Sequence, residues 1–114
     1  VQICGKISGL TPAEYWSNFA SVEASIKKKF PNIVVVNPME LCKHITEAHR
    51  EIDEEATWEH YMDVCLASIK HVDGLVVMKN ASDSKGALEE MRTAYNIGKK
   101  LYDVDGFLEG DLSA

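Results

Sequence analysis

At 114 residues the chain is of single-domain size and long enough to bury a real core. Hydrophobic residues make up 46% and charged residues 26%, an ordinary globular balance. The formal net charge of −6 leaves no basic surplus to release counterions from a phosphate backbone, which excludes non-specific nucleic-acid binding.

Val1 to Cys4 runs directly into Gly5-Lys6-Ile7-Ser8-Gly9, which reads as a buried first strand and a tight loop. Backbone amides in a loop with glycines at its two ends can approach a phosphate, with Lys6 and Ser8 adding donors. The loop is not a P-loop, because no Gly-Lys-Ser/Thr follows, and it lacks the dinucleotide fingerprint. Thr11, Pro12 and Glu14 spell an N-cap, a first helical position and a capping box. The helix they open carries Tyr15, Trp16, Phe19, Val22 and Ile26 as its apolar stripe. Its end holds Lys27, Lys28 and Lys29, where the helix dipole favours cations, and Pro31 lies beyond. Ile33–Val36 reads as a second buried strand, closed by Asn37-Pro38. Strand, helix, strand over this distance makes a right-handed unit with parallel strands.

Residues 39–56 are acidic without a sustained apolar period, and a short helix followed by a loop, of the kind that serves as a lid, is expected there. Cys42, His44 and His49 lack the spacing of a tetrahedral metal set and read as solvated loop residues. Thr57 is the expected cap of the next helix, with Trp58, Tyr61, Met62, Cys65 and Ile69 facing inward. Leu75 to Met78, after Asp73, is a short valine-rich apolar run bounded by Gly74, a strand covered on both faces. Ser82, Asp83 and Ser84 then offer caps to a helix expected to bury Ala87, Leu88, Met91, Ala94 and Tyr95 and to end at Gly98. Lys99 to Val104 supplies a last strand, and 105–114 reads as a loosely held tail after a single domain over 1–104.

The pattern predicts a small doubly wound, flavodoxin-like (Rossmann-like) parallel α/β sheet of about four strands with helices on both faces. In that order the first strand and the Asp73 strand flank the switch point, bringing the Gly5–Gly9 loop beside the helix that carries Glu89 and Glu90. Glu89 has Lys85 and Arg92 at ion-pair spacing, which accounts for it as a solvated face. Glu90 has only Gly86, Ala87 and Ala94 around it, with a helix N-terminus near enough to keep it ionised and space for a ligand to approach. Glu90 is therefore the candidate catalytic residue. Cys4, Cys42 and Cys65 are odd in number and form no CxxC pair, so a reducing, cytoplasmic setting is expected. No apolar stretch reaches membrane-spanning length and no signal peptide is expected. The chain does not open on methionine, so residues ahead of Val1 are expected to be missing or removed.

Ile3-Cys4-Gly5-Lys6-Ile7-Ser8-Gly9, Val35-Val36-Asn37-Pro38, Trp58-x-x-Tyr61 and Ser84-x-Gly86-Ala87-x-x-Glu90-x-x-x-Ala94 with Gly98-Lys99 together resemble the nucleoside 2-deoxyribosyltransferase-like superfamily. The resemblance extends over residues 1 to about 102 and is nearest to a small bacterial and phage branch of unknown function. Its loop is also similar to that of the deoxynucleoside 5′-monophosphate N-glycosidases. The resemblance implies cleavage of the bond between a base and 2-deoxyribose, with Glu90 as nucleophile. It implies sugar or phosphate contacts from Gly5, Lys6, Ser8, Gly9, Ser84 and Gly86, a homo-oligomer, and a nucleoside or nucleotide as small-molecule partner. No cofactor or metal is called for. The sequence departs from the superfamily at Cys65, which stands where the enzymes carry a proton-transferring aspartate; Asp63 lies about 200° round the helix and does not replace it. Ser8 stands where the monophosphate hydrolases carry an arginine. Two readings follow, an N-glycosidase or deoxyribosyltransferase, and a catalytically degenerate module that binds a nucleotide or related metabolite in the same crevice. A plain interaction protein is the third.

Overall fold

The computed structural model describes residues 1–43 and 54–110, with side chains from residue 59 onward in the second stretch. Three short strands form one parallel sheet in the order β1 (Gln2–Cys4), β2 (Gly74–Val77), β3 (Lys100–Asp103). Ile3 stands opposite Val76, and Val76 opposite Tyr102. The small parallel α/β architecture is the one the sequence predicts.

Ile33–Val36 does not become a full strand. It makes one parallel bridge, Val36 to Gln2, on the outer edge of β1. Val1 N donates to Val34 O, Val36 N to Val1 O and Ile3 N to Val36 O, and Val34 is 77% exposed. The segment is cut short from both ends. Ile33 N is still bonded to Phe30 O in the turn that leaves the first helix, and Asn37 already caps the next one. The bridge occupies the place of a second strand, so the chain follows the doubly wound order with three strands and a vestige.

Helix α1 (Pro12–Lys29) forms as its capping box predicts: Thr11 Oγ1 accepts from Glu14 N, and Glu14 Oε1 accepts from Thr11 N. It buries Phe19 and Ile26 against one face of the sheet, with Ile3, Val76, Met78 and Met39 of the four-residue α2 (Pro38–Leu41). Helix α3 (Glu54–Ile69) and helix α4 (Lys85–Asn96) cover the opposite face, where Cys4, Leu75, Ile69, Ala87 and Ala94 meet. Alternation along β1 sends Ile3 to the first face and Gln2 and Cys4 to the second. Helix α3 begins at or before Glu54, so Thr57 lies inside it and does not cap it. Tyr61, Met62, Cys65 and Ile69 face inward as predicted.

The expected tail is corrected over 105–110. Asp103 caps a further helix, α5 (Val104–Glu109), whose Phe107 is buried edge-on between Phe30 and Tyr102. One well-placed aromatic supplies the apolar burial that the polar composition of the segment conceals. The last strand is the exposed edge of the sheet. Helix α4 ends as predicted: Gly98 has φ 77°, a left-handed conformation that suits glycine.

Candidate functional site

Helix α4 presents a small-residue face to the sheet, and that choice places Glu90. Ser84 caps the helix, its hydroxyl accepting from Ala87 N at 3.2 Å. Ala87 and Ala94 then let the helix approach closely, and Glu90 between them is 2% exposed. The rotation differs from the one predicted, since Leu88 is 48% and Tyr95 75% exposed and Met91 is half-buried. Short side chains against a sheet permit tighter packing than large ones, and the large apolar residues are left outside. Glu89 is exposed and, among the described residues, makes no ion pair with Lys85 or Arg92.

All three cysteines are buried, none is in a disulfide, and they converge on Glu90 from three elements. Cys4, at the end of β1, and Cys65, on α3, both hydrogen-bond the Glu90 carboxyl. Cys4 Sγ also lies 3.5 Å from Ala87 O, to which it donates. Cys65 meets the Cys42 thiol and the Tyr61 hydroxyl as well. Cys4 and Cys65 each have one S–H proton and more than one acceptor, so the network rearranges when Glu90 changes charge.

Burial dominates the electrostatics. It pushes the Glu90 carboxyl up to about 7, with the Glu89 charge adding and the two thiol hydrogen bonds opposing. The sequence-based expectation of a carboxylate held ionised by the helix dipole is thereby corrected: among the described residues no cation faces Glu90, and desolvation prevails. Burial and the Glu90 charge push the Cys4 thiol up, and the Cys42 contact and burial do the same for Cys65. Tyr61 is likewise raised, chiefly by burial. Cys42 alone is lowered, by the hydrogen bond from Cys65, against the effect of its burial.

The remaining predicted site residues are distributed around the sheet's C-terminal end. Gly5 is buried, and a Cβ there would collide with the Met78 side chain. Lys6 N donates to Asn80 Oδ1 at 3.1 Å, tying the loop to the 3-10 turn Lys79–Asp83 that follows β2. That amide is therefore already occupied and not open to a phosphate. Ser8 and Gly9 are exposed, Ser84 is spent on its cap, and Gly86 is partly buried. A groove of about 330 Å³ lined by Asn18, Ser21, Val22, Met78, Lys79 and Asn80 opens beside α1. Glu90 lies under α4, on the other face. The structure thus brings Glu90 to Cys4 and Cys65, and leaves the glycine loop and its groove across the sheet.

Cys42 is fully buried, which corrects its reading as a solvated loop residue; His44 and His49, and the lid expected in that stretch, lie outside the described residues. Among the described residues no group of three or more histidines, cysteines and acids is arranged to hold a metal. Cys4, Cys42 and Tyr61 were not singled out by sequence as site residues. Only the Tyr61 spacing on the α3 stripe hinted at its place.

The profile of the domain of unknown function DUF4406 matches residues 1–103. The chain belongs to this family. No curated protein and no solved structure matches it. The DUF4406 span takes in the whole sheet and Glu90 and stops where α5 begins. No helix among the described residues is long and apolar enough to cross a membrane.

Proposed function

We propose that this DUF4406 domain cleaves the N-glycosidic bond of deoxynucleosides or their 5′-monophosphates, by hydrolysis or by deoxyribosyl transfer, with Glu90 as nucleophile. One observation carries the reading: among the described residues Glu90 is the one carboxylate withdrawn from solvent, and no cation faces it. An unpaired buried carboxylate costs free energy, and sites that bear such a cost commonly use it. The chemistry suits the residue. An oxocarbenium-like transition state is stabilised by a carboxylate on one face of the sugar, and attack by that carboxylate yields a glycosyl-enzyme. Only ionised Glu90 attacks, so turnover rises as pH passes about 7. Ser84 and Gly86, at the start of the helix that carries Glu90, belong to the proposed substrate surface, and the Gly5–Gly9 loop, packed toward the α1 face, lies outside it. A reducing, cytoplasmic setting and a homo-oligomer are part of the same proposal; the exposed Leu88, Tyr95 and Leu101 support the latter.

A specific observation favours a second reading. Cys65 is 0% exposed at the position of the superfamily's acid, its thiol is held protonated, and Glu90 is covered. A nucleotide-binding module that has lost the chemistry fits these facts. The experiment incubates the protein with deoxynucleosides and their monophosphates, following base release by chromatography and ligand-dependent melting in parallel. Released base supports the enzyme, a melting shift without release supports the module, and neither response refutes both.

A further inference from the structure

Cys42 and Cys65 differ from Cys4 in how they are held. Cys42 ends α2, its amide bonded to Pro38 O at 2.9 Å, and α2 is itself fixed to β1 through the Val36 bridge. Cys65 is pinned to the same strand, because Gln2 Nε2 donates to its carbonyl at 3.2 Å. Two backbones anchored on β1 therefore hold the two thiols in hydrogen-bond contact, both fully buried. Cys4 instead turns to Ala87 and Glu90.

We propose that Cys42 and Cys65 are a dithiol pair that closes into a disulfide under a small hydroperoxide, and that closure regulates the Glu90 site. The regulatory half rests on the reading of Glu90 given above; the disulfide does not. Cys42 is the attacking thiol, since Cys65 donates to it and favours its thiolate. Its sulfur displaces hydroxide from the peroxide, giving a sulfenic acid, and the hydroxide leaves as water with the Cys42 proton. The Cys65 sulfur then attacks the sulfenic sulfur, and the sulfenic oxygen departs as a second water carrying the Cys65 proton. Two thiols lose two electrons in all, and one hydrogen peroxide gains them. A water-sized oxidant fits a covered pair, reaching it through local opening. Closure consumes the Cys65 S–H, so Glu90 keeps one thiol donor, Cys4, and its neutral form is favoured further.

The test uses the whole chain, reduced, freed of reductant and treated with hydrogen peroxide in the absence of nucleotide. It is then denatured and alkylated with iodoacetamide. The expected result is one adduct, at Cys4, and a crosslinked Cys42–Cys65 peptide two hydrogens lighter than its parts, with dithiothreitol restoring three adducts. Three adducts after peroxide, a disulfide that includes Cys4, or sulfinic acid without a crosslink would overturn the pairing. Carbon-13 NMR of Glu90 should show its titration moved upward in the oxidised protein; an unmoved titration overturns the regulatory half. Because the crosslink is read by mass without substrate, a reduced protein that releases no base counts against the glycosidase reading alone.

Discussion

Replacing Glu90 by glutamine keeps the shape and removes the charge, and its effect on stability follows from burial. The folded carboxyl titrates at about 7 against 4.5 for a solvated one. Between those values the native state binds more protons than the unfolded state, so stability falls as pH rises through that window. Below it both states are protonated and nothing is lost; above it the loss is complete. At 1.36 kcal/mol per pH unit the full effect is about 3 kcal/mol. Glu90→Gln escapes that loss but forfeits the thiol bonds to a charged acceptor, so a gain of about 1–3 kcal/mol is expected near pH 8 and none near pH 4. For a domain of this size that corresponds to roughly 4–12 °C in melting temperature. Urea or thermal melts of both proteins at the two pH values check it. A stability difference that does not change with pH, or a less stable variant near pH 8, would refute the reasoning.

Cys65→Asp should place a second carboxyl beside Glu90, which no cation among the described residues faces, destabilising by several kcal/mol in urea melts near neutral pH and less in acid. Phe107→Ala should cost about 3 kcal/mol, because the ring is enclosed by Phe30 and Tyr102; a loosely held segment would cost nothing in the same chemical melt. Gly5→Ala should cost about 1–3 kcal/mol through its collision with Met78, and Met78→Ala should relieve part of that cost in a double-mutant cycle. Glu89→Gln, on the exposed side of the same helix, should leave the melting temperature and any base release unchanged.

What the sequence made legible was local. Thr11, Pro12 and Glu14 define the start of α1 within four residues, and Gly98 defines the end of α4, so both could be read directly. The strands β1 and β2 are short and covered on both faces, and they too were readable. Val36 was not, because the length of a strand depends on what its flanks do, and here the Phe30 turn and Asn37-Pro38 leave space for one bridge. Helix α5 was hidden because Phe107 is a single residue whose value comes from two distant rings. Glu90 stood out through its small neighbours, the same neighbours that draw α4 against the sheet and bury it. Leu88 and Tyr95 misled for the complementary reason: apolar spacing names a face, and close packing by alanine chose another. The meeting of Cys4, Cys42 and Cys65 is a product of topology, and their spacing carries no trace of it.

The central claim is that Glu90 attacks the sugar, and the most direct measurement is the mass of the protein caught during turnover. Wild-type protein and Glu90→Gln are each incubated with a panel of deoxynucleosides and 5′-monophosphates, quenched in acid and digested. The account predicts that wild-type protein releases base and carries one deoxyribosyl or deoxyribosyl-phosphate unit on the peptide containing Glu90, and that Glu90→Gln shows neither. Base release undiminished in Glu90→Gln, or an adduct on another residue, would contradict it.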